Sequence, residues 1–230
     1  MVSCLLVLIL TPAAVLLSRW IQSRAALPVL TAIAGYFPFV MEAQVSLVRG
    51  FLILVLWTLL LSVLILWFSR REPENWEGLI CRSREYSQSM MRWIESGELP
   101  EGSPRQVIVS HLKQTLLYCA LAFLSLNFLS LVLGSALLNY MNFYLAQLSK
   151  RSTRPGLVLW LGWNPWSVIR VLSFLYLGMV ASAPTMWLLF AIHWRLSVSL
   201  LLPGLIGLFL DLFLKLTLSR RWRETIRLNL

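Results

Sequence analysis

At least four runs of this chain are long and apolar enough to cross a bilayer, beginning with residues 5–17 and ending with 197–216. A soluble fold cannot shield that much apolar surface from water, whereas lipid accepts it directly. The sequence therefore predicts an all-α, polytopic transmembrane bundle of five spans, possibly six. Composition agrees, with 58% hydrophobic and 13% charged residues against about a quarter charged in ordinary soluble domains.

Spans are expected over residues 2–18, 51–68, 112–147, 167–189 and 197–216, which divides the chain into three parts. Residues 1–69 form an N-terminal membrane region, 70–113 a polar loop, and 114–230 a C-terminal membrane region with a basic tail. Residues 25–46 are apolar but carry Pro28, Gly35, Pro38 and Glu42, which weaken a straight helix and suggest a re-entrant piece or a broken sixth span. The third run would reach about 50 Å as one helix, so it must protrude or break, with Gly134 the expected break. The N-terminus has neither a basic leader nor a small-residue cleavage pattern, and is read as a retained first helix.

The net charge of +10 suggests nucleic acid until its placement is considered. Arg19, Arg24, Arg70, Arg71, Lys150, Arg154 and the arginines from Arg220 to the C-terminus flank apolar runs, as headgroup-facing, topology-setting residues do. The bilayer is the expected partner, and nucleic acid is not. With five spans the loop cations divide ten against eight, and the density of the short clusters near 150 and 220 places the C-terminus in the cytoplasm.

Two groups of residues are candidate sites. Within the polar loop, Trp76, Ile80, Met90, Trp93 and Ile94 fall mainly on one helical face, together with Leu79 and Tyr86. Such a face can pack on the bundle, lie on lipid or bind a membrane protein partner. Within the spans, Asn127 and Asn139 can form inter-helix hydrogen bonds, and Asp211 and Lys215 stand four apart, where they can pair on one helix. Arg170 is expected at a lipid phosphate or at a carboxylate such as Glu42. Gly178, Gly204 and Gly207 suit close helix packing.

Catalytic signatures are missing. His111 and His193 are isolated, no phosphate-binding glycine loop or nucleophile elbow occurs, and Cys4, Cys81 and Cys119 have neither metal spacing nor a disulfide framework. No cofactor or metal is implied.

From about residue 76 to 178 the order of features resembles the family that joins AmpE regulators to the cobinamide-phosphate synthases CobD and CbiB. A polar helical segment reaches Glu95-Ser96-Gly97-Glu98-Leu99-Pro100, then His111-Leu112 enters a long apolar run. Gly134-Ser135, an aromatic stretch over 139–144, and Trp163-Asn164-Pro165-Trp166 with downstream Arg170 complete the likeness. Neutral residues over 125–130 stand where the synthase branch is acidic, which points to the AmpE side. The resemblance implies a non-enzymatic inner-membrane regulator or complex subunit tied to cell-wall stress and β-lactamase induction. A transporter subunit using Asn127, Asn139 and Asp211 is the first alternative, and a synthase-like enzyme using loop acids the second.

Overall fold

The computed structural model describes residues 2–97, 103–190 and 198–230. The described residues form ten helices and no strand: α1 (Val2–Ile21), α2 (Ala26–Ala43), α3 (Leu47–Arg71), α4 (Pro73–Leu79), α5 (Ser83–Ser96), α6 (Pro104–Leu124), α7 (Phe128–Arg151), α8 (Pro155–Gly162), α9 (Pro165–Phe190) and α10 (Val198–Arg227). Seven of them are long and apolar enough to cross a membrane, namely α1, α2, α3, α6, α7, α9 and α10. The chain is a multi-pass helical membrane protein, with seven candidate spans against the five, possibly six, expected.

The first added span is α2. Pro28 lies in its first turn, where a missing N–H breaks no helical bond. Gly35 is a packing residue, since a Cβ there would come 2.7 Å from the indole of Trp57. That indole is fully buried and donates through Nε1 to the carbonyl of Thr31 at 2.9 Å. Gly35, which weakens α2 in isolation, thus fits it against α3, while Pro38 is accommodated within the helix.

The second comes from splitting the third run at residues 125–127, eight positions before Gly134. Leu126 and Asn127 both take the left-handed conformation, with φ 57° and 73°. Asparagine tolerates that region better than most side chains. The Ser125 hydroxyl accepts from the N–H of Leu129 at 2.8 Å, and the Asn127 N–H donates to the carbonyl of Ala122 at 2.8 Å. Gly134 stays within α7, facing Tyr118. The polar loop also ends earlier than residue 113, because Ser103 and Gln106 form a reciprocal capping box that starts α6 at Pro104.

Side-chain bonds between helix ends establish the alternation. At one end Arg19 pairs with Glu72 at 2.6 Å, the Ser152 hydroxyl donates to Asn229, and the Trp222 indole donates to Leu161. At the opposite end the Ser3 hydroxyl donates to Glu42 and the Thr185 hydroxyl to the carbonyl of Phe123. Helices α4, α5 and α8 all lie at the first end, which also gathers Arg24, Arg70, Arg71, Lys150, Arg154 and the α10 arginines. We call it the basic end.

The face offered by the polar loop packs largely on the bundle, the first of the three uses open to it. Trp76 and Ile80 are 0% and 2% exposed, within the core formed by α2, α3 and α7. Trp93 and Ile94 are buried against Tyr144, Leu145, Leu148 and Ile226, with Met90 packed beside them.

Candidate functional site

The sequence expectation for Asp211 was a pair with Lys215 on its own helix. The structure instead joins Asp211 to Arg170 of α9. Arg170 donates from Nε to Oδ2 at 2.8 Å and from Nη2 to Oδ1 at 2.9 Å, a bidentate fork that fixes both partners. Asp211 is fully buried. Arg170 therefore does not go to Glu42, which takes the Ser3 hydroxyl far away at the opposite end. His111 of α6 brings Nδ1 to 3.5 Å from Oδ2 of Asp211, beyond good hydrogen-bond length but well within electrostatic reach.

Small residues set this geometry. A Cβ at Gly204 would come 2.5 Å from Leu177, and one at Gly207 would overlap the Ser173 hydroxyl. With both positions bare, α10 lies close on α9, and Asp211, one turn beyond Gly207, reaches Arg170, nearly one turn before Ser173. An isolated carboxylate in hydrocarbon is costly, so this close crossing is what makes Asp211 tolerable in a span.

Beside the fork is a cavity of about 230 Å³. Its cations are Arg170 and Lys215, and its neutral polar groups include Gln114, Asn164 and Ser219. No carboxylate lines it among the described residues, because Asp211 stands behind Arg170. Trp57, Tyr118 and Phe174 form the apolar depth, while Tyr86, Met90 and Trp93 of α5 and Ile226 of α10 roof it at the basic end. The chamber thus runs from within the bundle to its surface helices.

Of the four intramembrane candidates, Lys215 alone lines this chamber. Asn127 turns its side chain to Ser130 and toward Gly178 at the α7–α9 contact. Asn139 donates to Ser135, whose hydroxyl lies 2.7 Å from that of Thr31 on α2. Asn127, Asn139 and Asp211 occupy three different helix interfaces, so they do not line one path. Of the partner-face candidates, Met90 and Trp93 reach the chamber, whereas Trp76, Ile80 and Ile94 are core. Arg170, His111, Gln114 and Tyr118 were missed as a set. Their signal was present, since 110, 114 and 118 form a polar stripe at helical spacing on α6, as 211, 215 and 219 do on α10.

Compared with known proteins, the chain matches no family model, no curated protein and no solved structure.

Proposed function

We propose that this protein is a non-enzymatic membrane regulator or complex subunit, AmpE-like by resemblance, that binds a ligand in the chamber between α6, α7, α9 and α10. One observation carries the reading: a single chamber touches both the intramembrane cations and the surface elements α5 and the end of α10. Occupancy can then alter the surface a partner meets. The missing catalytic signatures and the separated asparagines favour this reading over synthesis or transport.

The partner surface is reassigned. With the apolar face of α4 and α5 used internally, the contact falls to exposed charge, above all Arg220 and Arg221 on α10. Replacing both with Ser is expected to abolish recovery of a copurifying partner while leaving membrane insertion intact. Unchanged recovery from that variant would sink the contact reading.

We further propose an inner-membrane location with the basic end, and hence the C-terminus, in the cytoplasm. Seven alternating spans support this, because they bring the basic clusters to one end and leave Arg49 as the lone Lys or Arg at the opposite end among the described residues. Cys81, exposed between α4 and α5, reports the orientation directly. With Cys4 and Cys119 replaced by Ser, an impermeant maleimide should label Cys81 only after cells are opened. Labelling of intact spheroplasts would reverse the orientation.

A further inference from the structure

We infer that the chamber binds a neutral, lipid-soluble ring compound bearing carbonyl oxygens, of the quinone class, held by hydrogen bonds from Trp93, Trp166 and Tyr144. The inference rests on the ligand-binding reading above and names the ligand's class.

Unused donors are the first argument. Trp93, Trp166 and Tyr144 all line the chamber and are only 7%, 4% and 3% exposed. Among the described residues, neither indole N–H nor the phenol hydroxyl has a hydrogen-bond partner. Packing does not seal these atoms either, so the space they open on is the chamber. Buried Trp and Tyr ordinarily place their polar groups on a partner. An indole N–H can only donate, so whatever completes this wall must accept.

The rest of the wall selects the kind of acceptor. Arg170 is committed to Asp211, and Lys215 is engaged as well. An anion entering here would lose its hydration without gaining an uncommitted cation. A carbonyl oxygen costs far less to desolvate and takes the same donors.

Shape and size select the body that carries the carbonyls. Trp57, Tyr118 and Phe174 line the depth, and Tyr86 and Tyr140 add two rings whose centroids are 4.4 Å apart. Aromatic walls on several sides favour a flat ring, which stacks on them or meets them edge-on. An apolar cavity of about 150 Å³ holds one benzene, so a volume of about 230 Å³ suits two fused rings. The donors sit toward the basic end, with Trp93 on α5, Trp166 one residue inside the start of α9, and Tyr144 seven residues before the end of α7. The carbonyls therefore lie near that interface, and the hydrocarbon edge of the ring points into the bundle. Ser110 lines the chamber and is exposed on α6, which gives entry from the side.

The test uses the full chain in non-ionic detergent and reads the unfolding midpoint by scanning calorimetry across ligand concentration, corrected for micelle partition. The first probe is a naphthoquinone methylated at both free quinone-ring carbons, which blocks addition of the exposed Cys4 and Cys81 thiols. The others are naphthalene methylated at the same two carbons, and a monoacylglycerol, which has a carbonyl but no ring. The quinone is expected to bind at least about tenfold more tightly than the hydrocarbon, that factor being about 1.4 kcal/mol. Trp166→Phe and Tyr144→Phe each keep a ring and remove one donor. Each should weaken the quinone about fivefold and leave the hydrocarbon unchanged. Because the Tyr144 hydroxyl has no partner, its loss should not lower the midpoint without ligand, which separates binding from folding. Unchanged quinone affinity in both variants would overturn the donor assignment. Equal binding of the hydrocarbon would overturn the carbonyl assignment, and a monoacylglycerol binding as tightly as the quinone would overturn the ring. If no probe binds, the inference fails, whereas the regulator reading is decided separately by the Arg220 and Arg221 variant.

Discussion

In α1–α3 the buried hydroxyls mostly serve their own helix. Ser18 donates to the carbonyl of Ala14, Thr31 to Leu27 and Thr58 to Leu54, each a bond that survives if a neighbouring helix moves. In α9 and α10 the fully buried Asp211 carries a charge, and its fork with Arg170 is made across a helix interface. Hydroxyls bonded within their helix tolerate shifts in packing, because little desolvation is left exposed. A buried ion pair does not, because separation strands a charge. The first region is therefore suited to be scaffold, and the second is sensitive to register, which is what a site that responds to a ligand requires.

The sharpest way to break this contrast is Asp211→Ala. It leaves the Arg170 guanidinium without its fork, and a loss of roughly 3–5 kcal/mol is expected in thermal unfolding in detergent. Pairing it with Arg170→Met should recover much of that loss, since an apolar pair removes both charges. No comparable effect is expected from Thr58→Val in α3.

Next in size is Ile94→Ala, which opens space under α5 where the side chain is 1% exposed. A cost of about 2–5 kcal/mol follows if α5 belongs to the core, and a near-zero result would show that it does not. Gly35→Ala tests the scaffold itself. Its Cβ would press into the Trp57 ring, and about 1–3 kcal/mol of overpacking is expected, against no loss for Gly78→Ala, where nothing lies within 4 Å. The smallest effect should come from Glu72→Gln, which removes the half-exposed pair with Arg19 and costs no more than about 1 kcal/mol, less still in high salt.

Hydrophobic runs made the helical membrane class legible, because lipid solvation depends on composition summed over about twenty residues. The span left undecided, α2, and the one missed, in the split third run, show where that signal stops. Pro28, Gly35 and Pro38 read as breakers in α2, but their effect depends on position within the helix and on Trp57, a residue of another helix. The break after α6 carries no proline or glycine, since Ser125 and Asn127 make it through capping and a left-handed turn. The site was legible only in part. Asp211 and Lys215 stood out as charges in a span, yet Asp211 takes its partner from 41 residues away rather than four. Local spacing cannot foresee a contact created by α10 crossing α9 at Gly204 and Gly207.

The roof of the chamber has a consequence for the order in which the protein is completed. Gly97, at φ 84°, ends α5 where any side chain would overlap the guanidinium of Arg223, and Ile226 packs beneath Trp93 and Ile94. Polypeptide emerges from its N-terminus, so α5 exists long before the residues that fasten it. All seven spans can be threaded into lipid while the chamber still lacks its final wall. A chain cut just after Ser219 would keep its membrane topology and arrive with an unsealed binding site, so correct insertion and a finished site are separate milestones in its biogenesis.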